Sequence, residues 1–263
     1  MAIISTDEFR EQFAELVTDM ASKVKAEQRR AEWFAIKRGK IGASSVWVFY
    51  TPKLALANNK AMRDYIDLKA AECDGFIKPD IGGATLRHGN DEELPGAIDF
   101  IDRTGIVMTH YGDDQEWIAW PDNDQVGCTP DALIRCNVTL PGTDLELVGV
   151  LIVWEQKNNH TINAYLKFAA MESGEDLAVA DYKYYLQIQH QMMVTGAVAG
   201  IFQARYTRHE SGIAKMCWFI VKRNDEFIDQ HGARMHQVIN ERDERRAVQS
   251  AQTSIDLNQF IKQ

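Results

Sequence analysis

The spacing of apolar residues changes along the chain and separates helical stretches from strand-forming ones. Near the start, Ser5 and Glu8 have the spacing of a capping box, and the apolar residues after them recur at helical intervals. The pattern predicts further helices from about Ala43, over residues 59–77 and over residues 91–103. The first part of the chain, to about residue 105, is therefore expected to be helical.

Runs of β-branched and aromatic residues, separated by turn-forming residues, replace this pattern after residue 105. They predict strands at 106–110, 116–122, 126–134 and 145–156, with a hairpin turn at 121–124. Beyond them the pattern predicts helices at 160–172 and 181–195, strands at 201–207 and 216–222, and a polar helix at 225–247. This order predicts a mixed α/β (α+β) fold with a central mixed sheet flanked by helices.

No repeat or linker interrupts the chain, so a single domain is predicted over residues 1–263, with the sheet and its helices at about 106–250. An apolar share of 45% is enough for a sizeable core. Apolar runs such as 148–154 are far shorter than the ~20 residues of a membrane span, and no signal peptide is expected. Four widely spaced cysteines without a CxxC pair argue against a zinc knuckle and favour the cytoplasm.

The net charge of −9 argues against a nucleic-acid partner. Residues 23–40 depart from this balance, since they contain seven basic and two acidic residues, a local charge of +5. A solvated helix face is the commoner explanation of such a stretch. A track for the DNA backbone is the alternative.

Two acidic residues and a lysine form the most informative combination. Asp131 lies in one predicted strand, and Glu155 and Lys157 stand at the end of another. Because Glu155 and Lys157 are two residues apart, both side chains project from one face of a strand. Two carboxylates can hold a hard divalent cation, with the backbone carbonyl of Gln156 as a further ligand. A lysine beside such an ion can orient or deprotonate a water and stabilise charge on a phosphate. A surface Glu–Lys pair is the alternative.

Five segments of the chain follow one another in a characteristic order. They are residues 33–44, from Trp33 to Ala43-Ser44; Gly89, Glu93 and Ala97; residues 128–132; Glu155 and Lys157; and Tyr184, Gln187, Gln189 and Met192. Over about residues 30–245 this order resembles the lambda-exonuclease or YqaJ-type phage recombination nucleases of the PD-(D/E)xK superfamily. The resemblance implies a restriction-endonuclease-like core.

The resemblance also implies the residues of a metal-dependent site. The implied metal ligands are Asp131, Glu155, the backbone carbonyl of Gln156 and, for a second ion, Glu93. The residues implied to act in catalysis are Glu93, Asp131, Glu155, Lys157 and Gln187. Lys157 would handle the attacking water, while Tyr184 and Gln189 would support the site. Two Mg²⁺ ions are implied, with Mn²⁺ as a substitute.

The 5′ phosphate of a DNA end is a further implied ligand. The matching positions are Lys37, Ser44 and Thr129. The family usually has arginine where Lys37 stands, and lysine lacks the bidentate fork of a guanidinium. Arg38 is therefore an alternative to Lys37, and the choice between them stays open.

Some of these residues also have a structural explanation. Glu93 lies in an acidic cluster at a helix start, where the helix dipole favours carboxylates. The alternating glutamines that end at Gln191 are compatible with a polar helix face. His190 is expected to be a surface histidine rather than a ligand, since a site of oxygen ligands needs none. Asp122 and Asp124 are assigned to the hairpin turn.

The resemblance implies a Mg²⁺-dependent exonuclease that digests linear double-stranded DNA from 5′ to 3′. Its products would be 5′-mononucleotides and a 3′ overhang on which a single-strand annealing protein loads. A homo-oligomer, by resemblance a ring-shaped trimer, is implied, acting in the bacterial cytoplasm if phage or prophage encoded. Two alternatives stay open: a structure-specific or restriction-type endonuclease of the same superfamily, and a non-catalytic DNA-end binding protein on a nuclease fold.

Overall fold

The chain divides into two compact units, Met1–Arg38 and Gly39–Gln263. The computed structural model describes residues 28–29, 31–77, 92–112, 115–139, 146–208 and 213–261. In the first unit, residues 31–37 are helical and the Lys37 ammonium lies 3.4 Å from the centroid of the Trp33 ring. The predicted capping box at Ser5 and the motif residue Gly89 lie outside the described residues. The prediction of a single domain over residues 1–263 stays a prediction.

Eight strands lie in the described part of the second unit. They are β1 (Ile41–Gly42), β2 (Met108–Thr109), β3 (Ile118–Trp120), β4 (Asn123–Cys128), β5 (Ala132–Thr139), β6 (Glu146–Asn158), β7 (Ala199–Arg208) and β8 (Ile213–Lys222). Five of them form a mixed sheet in the order β2-β5-β6-β7-β8, in which only β6 and β7 are parallel neighbours. The other three form a small sheet in the order β1-β4-β3.

Helices surround these sheets. They are a 3₁₀ helix (Ala43–Phe49), α1 (Lys60–Cys73), α2 (Glu93–Thr104), α3 (Ile162–Ala169), α4 (Gly174–Ala180), α5 (Tyr182–Thr195) and α6 (Asp225–Ile261). Side chains of Asn59, Thr161 and Ser173 cap the first turns of α1, α3 and α4, as their residue types favour. Within the described ranges, no helix has the length and apolarity needed to cross a bilayer.

The two faces of the five-stranded sheet belong to different apolar clusters. Val153 and Phe202 contribute to the larger cluster, which includes α5 and the 3₁₀ helix. Their neighbours Trp154 and Ile201 contribute to the smaller cluster, which contains Phe100 of α2. Because successive side chains of a strand point to opposite faces, β6 supplies side chains to both sides of the sheet.

The predicted fold class is confirmed, while several elements differ from the sequence pattern. The helix predicted from about Ala43 is a 3₁₀ helix, and the final helix extends beyond its predicted end to Ile261. The strand predicted at 126–134 is two strands, β4 and β5, so Asp131 precedes a strand rather than lying in one. Pro130 lies in this break, and proline has no N–H for a strand ladder.

A buried chain of hydrogen bonds connects α5 and α6 to the small sheet. The Tyr50 hydroxyl lies 2.8 Å from His231 Nδ1, and His231 Nε2 lies 2.8 Å from His190 Nδ1. His190 Nε2 lies 3.1 Å from the carbonyl oxygen of Gly127. Both histidines are fully buried, so the expectation that His190 lies on the surface is wrong.

The hydrogen-bond partners of His190 and His231 determine which ring nitrogen of each histidine carries the proton. Burial lowers the pKa of His190 to about 4. Burial, followed by the influence of His190, lowers the pKa of His231 well below its ordinary value. Both rings are therefore neutral at pH 7. Because the Gly127 carbonyl only accepts, His190 donates from Nε2, His231 donates to His190 from Nε2, and the Tyr50 hydroxyl donates to His231.

Acid is expected to destabilise the protein through these histidines. The pKa of His190 is about 4 in the folded state and 6.5 without the fold, so its contribution is complete above pH 6.5. As the pH falls to 4, protonation of the unfolded chain removes about 3 kcal/mol of stability through His190 alone. Urea unfolding at a series of pH values between 7.5 and 4 measures this loss.

His190→Gln is the control for this pH dependence, because it removes one titrating group. Its free energy of unfolding should fall less steeply with pH than that of the wild type. The pKa of Asp131, raised first by burial, acts in the opposite sense and does so in both proteins. Equal pH slopes for the two proteins would contradict the assignment of His190 as a buried neutral group.

Candidate active site

The end of β6 extends past its neighbour β5, and Asp131 lies beside this extension. The register between the two strands ends with Ala132 opposite Trp154. Asp131 lies just before β5, and its Oδ2 accepts a hydrogen bond of 2.8 Å from the backbone N–H of Gln156. The N–H and C=O of a strand residue point to the same side, so the carbonyl of Gln156 is directed toward Asp131 as well.

Glu155 is almost fully buried, and both of its carboxylate oxygens are bound. Oε1 accepts from the Lys157 ammonium and from the Gln187 amide, the latter at 2.5 Å. Oε2 accepts from the Gln191 amide at 2.6 Å. The Lys157 ammonium also lies 4.9 Å from the centroid of the Tyr184 ring. The predicted group of Glu155, Lys157, Gln187 and Tyr184 is therefore brought together.

Glu93 reaches this group from the first turn of α2. Gln115 connects it to Asp131, because the Gln115 side chain hydrogen-bonds to Glu93 and donates at 3.2 Å to the Asp131 carbonyl oxygen. Burial, together with repulsion from Glu155, raises the pKa of Glu93. Glu93 is thus an electrostatic neighbour of the buried carboxylates rather than an isolated charge at a helix start.

The site has more acidic than basic groups. Burial, and then repulsion from Glu155, raises the pKa of Asp131 well above its ordinary value. Burial disfavours the charged form of Lys157, but attraction to Glu155 and Asp131 outweighs it and raises the pKa of the ammonium. One lysine thus stands among three carboxyl groups that repel one another.

This donor set fits a hard divalent cation. Carboxylate and carbonyl oxygens are the ligands that Mg²⁺ uses in proteins, and a cation would relieve the repulsion between Asp131 and Glu155. Within the described ranges, however, no three His, Cys, Asp or Glu side chains converge into a ready-made metal cluster. The Glu155 carboxylate is engaged by Lys157, Gln187 and Gln191, so an ion would have to replace part of these contacts.

The residues predicted to bind a 5′ phosphate are located in different elements. The Thr129 hydroxyl, two residues before Asp131, is enclosed and has no hydrogen-bond partner among the described residues. Ser44 is exposed in the 3₁₀ helix. Lys37 and Arg38 belong to the first unit, and the choice between them stays a prediction.

Two glutamines of α5 have roles other than those suggested by the sequence. Gln189, predicted to support the site, donates at 2.7 Å to the Lys222 carbonyl and accepts at 3.0 Å from the backbone N–H of Asn224. It therefore joins α5 to the connection between β8 and α6. Gln191, compatible with a simple polar face, binds Glu155 instead. Its spacing of four from Gln187 was the available signal, since such residues share a helix face.

Solved structures of two exonucleases share the fold. An alkaline exonuclease (LHK-Exo) from Laribacter hongkongensis has a TM-score of 0.63 at 19% identity, covering 85% of this chain and 98% of that one. The same enzyme in complex with dAMP has a TM-score of 0.61 at 20% identity, with the same coverage. A phage-related exonuclease from Haemophilus somnus 129PT has a TM-score of 0.54 at 12% identity, covering 81% and 96%.

The sequence itself matches one family. No curated protein matches the chain significantly. Residues 32–198, well over half of the chain, match the YqaJ-like viral recombinase domain. This range contains Glu93, Asp131, Glu155 and Lys157, which the fold gathers at the end of β6. The chain belongs to the YqaJ-like viral recombinase family.

Proposed function

We propose that this protein is a metal-dependent exonuclease that digests linear double-stranded DNA from its 5′ ends. It releases 5′-mononucleotides and leaves a 3′ single-stranded overhang. One observation carries the proposal: Asp131 is hydrogen-bonded to the backbone of Gln156, beside a buried Glu155 that is paired with Lys157. Buried carboxylates of this kind are costly unless they are paired or bind a cation.

The residues of the site have separate tasks in this proposal. Asp131, Glu155 and the carbonyl of Gln156 hold the first ion, and Glu93 contributes to the second. When bound, Mg²⁺ supplies Lewis-acid activation of a water and neutralises charge on the scissile phosphate. Lys157 orients the water and stabilises the negative charge that develops on the phosphate.

The amides of α5 keep Glu155 in position while this happens. Gln187 and Gln191 each donate to a different oxygen of its carboxylate, so the carboxylate cannot rotate freely. The Tyr184 ring, 4.9 Å from the Lys157 ammonium, favours the charged lysine by a cation–π contact. These neighbours act on the metal ligand and on the lysine rather than on DNA itself.

Recognition of the DNA end involves a second group of residues. The Thr129 hydroxyl, two residues from Asp131, is enclosed and has no hydrogen-bond partner among the described residues. In this proposal it donates to a terminal phosphate close to the cleavage site once DNA binding exposes it. Ser44 is the second hydroxyl of this phosphate site, and a role for Lys37 or Arg38 stays a prediction from the resemblance. The dAMP in a structure of the Laribacter hongkongensis enzyme is a mononucleotide, which supports a product of this class.

The 3′ single-stranded overhang left by the reaction indicates which protein would act next. A single-strand annealing protein would load on the exposed 3′ strand, in the bacterial cytoplasm where a phage or prophage recombines. A homo-oligomeric ring around the duplex would keep the enzyme on its substrate. A ring that closes on DNA explains how a chain with a net charge of −9 retains a polyanion, since retention is then topological.

Loss of Lys157 is expected to slow cleavage strongly, and circular dichroism of the variant checks that it still folds. Lys157→Ala should lower the rate about 10²-fold or more, because it removes a donor that stabilises transition-state charge. The assay follows mononucleotide release from linear duplex DNA labelled at the 5′ end of one strand, with Mg²⁺. A covalently closed circle of the same sequence is the substrate control and should remain intact.

Other outcomes of this assay identify the competing functions. Cleavage of the closed circle would replace the exonuclease by an endonuclease that uses the same site. Binding of the linear DNA without cleavage, at any divalent metal ion, would support a non-catalytic DNA-end binding protein.

Two glutamines on the same helix allow a matched test of how Glu155 is held. Gln191→Met leaves Oε2 of Glu155 without its donor and should lower the cleavage rate about 10-fold to 100-fold, as for other residues that orient metal ligands. Gln189→Met removes an equally buried amide whose partners lie at the β8–α6 connection, so it should reduce the melting temperature and keep the rate. Equal rate losses in the two variants would contradict the role given to Gln191.

A further inference from the structure

The side chain of Gln156 lies on the face of β6 opposite to Glu155 and Lys157, and it is 3% exposed. Its amide nitrogen donates at 3.1 Å to the backbone carbonyl of Glu92 and at 2.9 Å to the Asn158 side chain. Its amide oxygen accepts at 2.8 Å from the fully buried Gln203. Both donors and one acceptor of this amide are therefore used, and the first of these bonds fixes the start of α2.

Helix α2 is shaped to receive this amide. Gly96 lies directly over it, since a Cβ added at Gly96 would overlap the amide group of Gln156. Gln203 adds a bond of 3.3 Å to the Gly96 carbonyl oxygen. The two glutamines of β6 and β7 thus form a polar platform on which the first turn of α2 rests.

A buried arginine holds the same turn from the side. Arg205 of β7 is 6% exposed and forms ion pairs with Glu92 and with Asp99, the latter at 2.8 Å. The Thr207 hydroxyl donates at 2.9 Å to the same oxygen of Glu92. Arg205 and Thr207 thus occupy the carboxylate of Glu92. The next residue, Glu93, is therefore the acidic residue of this turn that can face Asp131 and Glu155.

Gln156 therefore contacts both halves of the proposed metal site. Its backbone N–H binds Asp131, and its side chain binds the turn that carries Glu93. We propose that the Gln156 side chain is a positioning residue that sets the distance between Glu93 and the Asp131–Glu155 pair. The residue thus determines how tightly the site binds divalent ions, which goes beyond the backbone carbonyl predicted as its only contribution. This inference rests on the proposed function.

The test measures ion binding without DNA, so it does not depend on activity. Calorimetric titration with Mn²⁺ compares the wild type with Gln156→Met, which keeps the volume of the side chain and removes its hydrogen bonds. The variant should bind Mn²⁺ about tenfold more weakly or worse, as for other groups that orient metal ligands. Its melting temperature without metal should fall as well, and Mn²⁺ should raise it less than in the wild type.

Two further variants separate positioning from general loss of stability. Gln189→Met removes a buried amide of the same type outside this network and should retain the wild-type affinity for Mn²⁺. Gln203→Leu removes the donor to Gln156 and should weaken Mn²⁺ binding, which keeps the inference testable if Gln156→Met does not fold.

The Mn²⁺ affinities also distinguish failure of the positioning role from failure of the proposed metal site. Wild-type Mn²⁺ affinity in folded Gln156→Met, or an equal loss in Gln189→Met, would overturn the positioning role and leave the proposed function standing. A wild-type protein that binds no Mn²⁺ would overturn the proposed metal site itself, and the inference with it.

Discussion

The burial of carboxylates around a single lysine is the constraint on which the rest of the site depends. Repulsion between Asp131 and Glu155 adds to the free-energy cost of burying their carboxylates. Attraction to the Lys157 ammonium offsets only part of this cost. Three nearby groups donate to these two carboxylates besides Lys157: the backbone of Gln156 to Asp131, and two α5 amides to Glu155. Buried carboxyl groups that repel one another destabilise the folded protein, so their presence favours a functional role for the cluster.

The architecture meets this constraint by using both faces of β6. One face presents Glu155 and Lys157 to α5, and the other presents Gln156 to α2. The extension of β6 past β5 leaves a backbone N–H for Asp131, so the two carboxylates are brought together without a continuous strand pair. Helix α5 is in turn anchored on its own far side, where His190 bonds to His231 and Gly127.

Much of this could be predicted from the chain because the patterns involved are local. The spacing of Glu155 and Lys157 requires only the period of a strand, and the helix at 181–195 was predicted almost to its ends. The break before Asp131 was missed because residues 126–134 read as one β-branched run, although Pro130 lies inside it. Hydrogen bonds that connect distant segments leave no local pattern, so the buried state of His190 could not be predicted.

The glutamines illustrate the same limit. A family resemblance pointed to Gln187 and Gln189, whereas helical geometry pairs Gln187 with Gln191. The hydrogen bonding between the Gln156 side chain and the first turn of α2 is supported by Gln203 and Arg205. These residues are 47 and 49 positions further along the chain. Nothing in the spacing of these residues indicates that β7 will lie beside β6, so their cooperation follows only from the parallel pairing of the two strands.

Anomalous diffraction from crystals grown with Mn²⁺ would test the metal site most directly. A peak is expected at the end of β6, bounded by the carboxylates of Asp131 and Glu155 and by the carbonyl of Gln156. Glu155 should then have exchanged part of its contact with Lys157 for the ion. Full occupation of Mn²⁺ elsewhere, with the Glu155–Lys157 pair intact at saturating metal, would contradict a metal-dependent function for these residues.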